Sequence, residues 1–135
     1  MTNNKRIDTY KTVYEVYLVV AGKDVTLEEL KELYTYSDEV ELDDNITQGY
    51  ASTSRCKEKK TGRYVVLVKL NHISLVKGID KKIWLINTAA HEAVHTAMDI
   101  CAFVAQRVEP NDDNEHLAYL IGWSTECIYK TWTDK

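Results

Sequence analysis

The spacing of apolar and polar positions divides the chain into six elements. Residues 12–20 (Thr-Val-Tyr-Glu-Val-Tyr-Leu-Val-Val) are dense in β-branched and aromatic side chains and predict a strand. Ala21-Gly22-Lys23-Asp24 reads as a turn. Thr26 and Glu29 have the spacing of a capping box, in which each side chain satisfies a backbone N–H at the helix start. They predict a helix over about 27–35, with Leu27, Leu30, Leu33 and Tyr34 on its apolar face. Residues 37–47 are acidic and irregular. Two strands follow, about 48–56 and 63–70, joined by a hairpin loop, Glu58 to Gly62, with Gly62 at a position of positive φ. The second, Arg63-Tyr-Val-Val-Leu-Val-Lys-Leu70, is the most strand-like stretch of the chain, and Asn71 to Gly78 is a connection.

A long helix is predicted from about Lys81 to Arg107, capped by Asp80. Ile83, Ile86, Ala90, Val94 (or Ala93), Ala97, Cys101 and Val104 recur at steps of three and four and predict its core-facing stripe. The polar run Glu109 to Asn114, which holds the one proline, Pro110, reads as a loop. A last helix starts near Asp112–Asn114 and ends near Trp132, with Leu117, Leu120, Ile121 and Ile128 facing inward and Gly122 allowing close approach to a neighbour. Trp84, Trp123 and Trp132 are expected to pack the helices. The order β-α-β-β-α-α predicts an α+β fold with a small mixed or antiparallel sheet of about three strands and a pair of long helices.

Composition narrows the class. A chain of 135 residues with 44% hydrophobic residues fits one domain with a full core, spanning 1–135. The formal net charge of −4 argues against a general nucleic-acid partner, which would favour a basic face. Lys57, Lys59, Lys60 and Arg63 cluster at the hairpin, where a solvated tip is expected rather than a phosphate site. The three cysteines, Cys56, Cys101 and Cys127, are odd in number and form no CxxC pair, so a reduced inventory is expected, with Cys101 and Cys127 as small core residues. Lys5 and Arg6 are followed by Tyr14-Glu15-Val16-Tyr17, which breaks a signal-peptide core, and no stretch reaches the roughly 18 apolar residues of a membrane span. The expectation is a cytoplasmic chain with no membrane or nucleic-acid partner.

The chemistry concentrates at His91-Glu92-Ala93-Val94-His95, inside the long helix. Residues four apart lie one turn apart on the same helix face, so the two imidazoles can meet one zinc ion. Glu92 stands about 100° round from His91. That is too far to ligate well, but within reach of a metal-activated water whose pKa is lowered to about 7. His91 and His95 are therefore the predicted metal ligands, Zn²⁺ the predicted cofactor and Glu92 the predicted general base. The ordinary alternative is two surface histidines on an amphipathic helix. A catalytic zinc site needs a third protein ligand and an open position. The downstream candidates are Asp99, Glu109, Asp112, Asp113, Glu115, His116 and Glu126. Glu115 is chosen, because it opens the next helix after a loop long enough to reverse the chain. His116 is the second choice, about 100° away on the same helix.

HEAVH followed at this distance by Asn114-Glu115 resembles the gluzincin branch of the zincin metallopeptidases, the thermolysin-like enzymes, over about residues 84–123. The resemblance implies a peptidase with a peptide or protein substrate, and Glu115 as the third ligand. It extends to Asp99, four residues after His95, where those enzymes also carry an aspartate. Where they place a further aspartate one turn after the ligand glutamate, this chain has Tyr119, and their C-terminal domain with a transition-state histidine has no counterpart in these residues. More loosely, His91-Glu-Ala-Val-His-Thr-Ala and Glu115-His-Leu-Ala-Tyr-Leu-Ile-Gly-Trp123 resemble small HExxH proteins of bacteriophages and bacterial mobile elements. That likeness implies a minimal zincin domain and, for a phage protein, a place in the host cytoplasm.

Around this core of the site, Tyr119 lies one turn after Glu115 and is a candidate donor to a developing oxyanion, or else a tyrosine packed between helices. Asp99 is a candidate partner for the His95 ring or a solvated or salt-bridged helix aspartate, and Asn114 a candidate for that same shell or an N-cap. His72, Tyr50 and Tyr64 could approach from the sheet, each more ordinary as a strand residue. The strand 63–70 is expected either to bind an extended peptide along its edge, as the resemblance implies, or to be a fully paired central strand. Two further readings are carried: a zincin-fold binding or regulatory module without activity, and a protease of a mobile element that cleaves one dedicated protein.

Overall fold

A computed structural model describes residues 5–72, 78, 80–110 and 112–133. Five strands form one mixed sheet. β1 (Ile7–Lys11) and β2 (Tyr17–Ala21) pair antiparallel. After helix α1 (Leu27–Leu33) come β3 (Tyr34–Tyr36), a 3₁₀ turn (Asp44–Thr47), β4 (Ala51–Glu58) and β5 (Tyr64–Leu70). Helices α2 (Lys81–Phe103) and α3 (Glu115–Thr133) complete the chain. The strand order is β1-β2-β5-β4-β3, with β2 and β5 parallel and every other pair antiparallel.

The α+β class therefore holds, with five strands where about three were expected. The predicted strand over 12–20 is in fact a connection, residues 12–16, followed by the second hairpin arm, β2. Thr12 makes that connection: its hydroxyl donates to the carbonyls of Val16 (2.6 Å) and Tyr14 (3.1 Å), and it accepts the Tyr14 N–H at 3.0 Å. β1 carries no clear apolar alternation, because Ile-Asp-Thr-Tyr-Lys is short and its two apolar residues, Ile7 and Tyr10, pack on opposite faces. β3 escaped because it follows α1 without a break.

β5 is the central strand. Val65 and Leu67 join Val19 and Ala21 of β2 in a cluster with Leu30, Tyr34, Leu42 and Ile46. Val66, Val68 and Leu70, on the other face, pack with the helix pair. A strand buried on both faces needs apolar residues at nearly every position, which is why β5 reads as an unbroken run.

The helix starts behave as the caps predict. Thr26 Oγ1 accepts the Glu29 N–H at 3.1 Å, and Asp80 accepts the N–H groups of Lys82 and Ile83. α2 stops at Phe103, earlier than expected. Ala105 takes a left-handed φ of 56°, and the Gln106 N–H returns to the Cys101 carbonyl at 2.9 Å, closing the helix end. Gly62 has the expected positive φ, 74°. Gly122, by contrast, is not at a close approach: a Cβ there would meet nothing within 4 Å. Most of the predicted connection 71–78 lies outside the described residues.

The core-facing stripe of α2 matches the predicted one at Ala93, Ala97 and Cys101 and departs from it at Ile83, Ile86, Ala90 and Val94. The buried positions are Leu85, Thr88, Ala89, Glu92, Ala93, Thr96, Ala97, Ile100 and Cys101. Ile83 is 65% exposed and Ile86 47%, and Val94 also faces solvent. Two polar threonines and a glutamate occupy the sheet-facing line, so apolar periodicity alone drew in part of a neighbouring face. The three cysteines are free and buried, Cys56 as well as the two expected in the core.

One charged group is enclosed by the sheet. Lys69 is 2% exposed, and its Nζ donates to the carbonyls of Gly22 (3.2 Å), Lys23 (3.3 Å) and Leu70 and to Asn71 Oδ1 (3.2 Å). Burial pulls its pKa down to about 8 from 10.5, against a smaller upward pull from Asp24. Between those values the unfolded chain holds the proton that the folded chain releases, so this group adds stability as pH rises from 8 to 10.5 and loses it as pH falls. Urea unfolding across this window is expected to show a rising stability that Lys69→Met lacks; parallel profiles for the two proteins would refute it.

Candidate metal site

His91 and His95 come together as their spacing requires. Both are exposed on α2, and their ring centroids lie 5.0 Å apart. Ala93 stands two positions from each, hence about 200° round the helix. Ala93 packs into the cluster that holds Cys127, Ile128 and Trp132 of α3, so both imidazoles turn away from α3 into solvent, with His91 beside Tyr50 and Ala51.

Glu92 is 5% exposed and points under the helix to the sheet. Its Oε1 accepts the Thr53 hydroxyl of β4 at 2.9 Å, while Oε2 lies 3.8 Å from His91 Nε2. One carboxylate oxygen is tethered and the other faces an imidazole at a distance that a water can bridge. A buried carboxylate is costly unless hydrogen-bonded, so the Thr53 contact is what this burial requires. Thr53 carried no signal in the sequence: it is one of several β4 hydroxyl residues, and only the strand register selects it. Alternation puts Thr53 and Arg55 on the helix side of β4 and Ser52 and Cys56 on the other.

Asp99 makes an ion pair with Arg55 of β4 (3.7 Å). Burial raises its pKa, and the Arg55 and His95 charges pull it back down. It thus ties α2 to β4 one turn below His95, nearer the salt-bridged of its two expected roles. Tyr50 lies at the near end, edge-on to Trp84 (centroids 4.9 Å), and with Ala51, Asn87, Thr88, His91 and Glu92 lines a cavity of about 230 Å³. β5, flanked by β2 and β4, is the fully paired strand. Among the described residues the open edge belongs to β4, because β3 pairs with Cys56–Glu58 and the Ser37 N–H takes the Arg55 carbonyl, leaving Ala51–Ser54 without a strand partner.

The remaining candidates lie elsewhere. Glu115 is exposed at the first residue of α3 and is not gathered with the two histidines. Among the described residues no group of three or more His, Cys, Asp or Glu side chains stands close enough together to hold a metal ion. Tyr119, 75% exposed, and His116 line a separate cavity against the β1–β2 connection. Asn114 has a φ of 51°; its amide donates to the Glu109 carbonyl at 2.7 Å and its Oδ1 accepts the Glu109 N–H at 3.2 Å, tying the loop between α2 and α3. His72 Nε2 meets Asp24 Oδ1 at 2.8 Å at the opposite face of the sheet, and Tyr64 packs on Phe103. Of the basic hairpin residues, Lys59 and Lys60 are exposed at the tip, Lys57 pairs with Glu39, and Arg63 pairs with Glu58.

As a donor set, two exposed imidazoles one turn apart suit zinc, whose tetrahedral sites in proteins take nitrogen ligands. The fit covers two of three protein ligands. No helix among the described residues is long and apolar enough to cross a membrane. Comparison with protein-family models, with curated proteins and with solved structures finds no match for this chain.

Proposed function

We propose that this chain is a zinc-dependent hydrolase that cleaves a peptide or protein substrate, with His91 and His95 as metal ligands, Glu115 as the third and Glu92 as general base. One observation carries the reading: an exposed imidazole pair flanks a sheltered carboxylate beside a strand edge that has no strand partner among the described residues. Zinc at such a pair supplies Lewis acidity and lowers the pKa of water to about 7. Glu92 contributes a proton acceptor whose rotamer is held by Thr53. Among the described residues the edge of β4 from Ala51 to Ser54 has no strand partner and offers backbone groups to an extended chain passing the histidines. Glu115 reaches the pair only if the first turn of α3 and the loop before it rearrange. Tyr119 keeps the proposed role of oxyanion donor only in that same rearranged state.

The separation of Glu115 from the histidines favours a second reading, a zincin-like binding or regulatory protein of a phage or mobile element with a weak or vestigial metal site. A peptide library derived from a whole proteome, incubated with zinc-loaded protein, separates the two. The hydrolase reading expects new termini that disappear with a chelator. An intact library with zinc still bound decides for the second.

A further inference from the structure

We propose that the cavity between the β1–β2 connection and the first turns of α3 binds a small organic anion with an apolar body, of the aryl- or alkyl-carboxylate class. The cavity measures about 510 Å³, inside the range of about 300–1,000 Å³ that holds a small organic ligand. Val13, Tyr14, Tyr119, Leu120 and Trp123 give it largely apolar walls. Val13 is 91% exposed, an aliphatic side chain left at the rim with nothing packed over it.

Lys11 sets the sign of the ligand's charge, and His116 gives its polar head a hydrogen-bond partner. His116 Nε2 is buried and has no hydrogen-bond partner, an unmet cost for a polar atom out of water. Lys11 stands at the mouth and makes no ion pair among the described residues. Among the described residues no carboxylate lines the cavity, so an anionic head meets the Lys11 charge with none opposing it there.

The walls are held in place before any ligand arrives. Thr12 locks the β1–β2 connection through its three hydrogen bonds. Trp123 stands edge-on to Tyr10 at 6.5 Å, and Tyr10 is itself fixed by a 2.7 Å hydrogen bond to Thr131. The site shares no lining residue with the cavity beside His91 and Glu92, and it does not depend on a metal.

Three probes with one hydrocarbon body and different heads test this: phenylbutyrate, phenylbutanol and phenylbutylamine, titrated into isotope-labelled protein by NMR. Phenylbutyrate is expected to shift the Trp123 indole N–H and the His116 ring saturably. Phenylbutanol should bind at least about tenfold more weakly, and phenylbutylamine more weakly still. Lys11→Glu, at an exposed position, should leave the spectrum folded and reverse the order of acid and amine. The proposal is overturned if the three probes bind alike, if none binds, or if the shifts fall elsewhere. It is also overturned if sedimentation shows the chain self-associating through this face in a way that Lys11→Glu abolishes.

Discussion

Glu92→Gln is expected to lower turnover by about 10²–10⁴-fold while zinc affinity stays within a few-fold. The substitution keeps the shape of the side chain and the oxygen that accepts the Thr53 hydroxyl, so the helix–sheet contact persists. It removes only the capacity to take a proton. Because the side chain is buried, exchanging a charge for an amide costs no solvation, and thermal stability should hold or rise. Terminal labelling of the peptide library gives the rate, and metal analysis of the dialysed protein gives the zinc. Unchanged cleavage with bound zinc would remove Glu92 from the reaction. Loss of zinc together with activity would make it a structural support for the imidazoles.

Ile100→Ala should destabilise the fold by about 2–5 kcal/mol, whereas Ile86→Ala should change it by less than about 0.5 kcal/mol. Ile100 is wholly buried and packs with Val16, Val66, Ala97, Cys101 and Leu120, so its removal leaves a cavity between helix and sheet. Ile86 lies on the same helix but half in solvent, where alanine's higher helix propensity offsets the small lost contact. Urea unfolding of the two variants measures the difference directly. Equal losses would mean that α2 buries the Ile83–Ile86–Val94 line, and Glu92 would then be turned outward.

That pair of residues also marks what the sequence made legible. α2 as an element, its Asp80 cap and its two histidines on one face all follow from spacing. Which face meets the sheet does not, since Thr88, Glu92 and Thr96 are polar residues in buried positions. The hydroxyl that accounts for Glu92 comes from Thr53, 39 positions away, and pairing across a sheet is not written locally. The same holds for β5. Its hydrophobic run pointed equally to an edge or a centre, and only its pairing with β2 and β4 puts it in the middle. The hairpin glycine and the capping box were readable because their causes lie within four residues.

His91 and His95 are proposed to hold one metal ion between them, and crystals grown with equimolar zinc and measured at the zinc absorption edge would reveal it. One anomalous peak is expected about 2.0–2.1 Å from a nitrogen of each ring, with the carboxylate of Glu115 or a solvent molecule completing the shell. A zinc-free pair of rings under those conditions, or zinc bound at other residues, would contradict it.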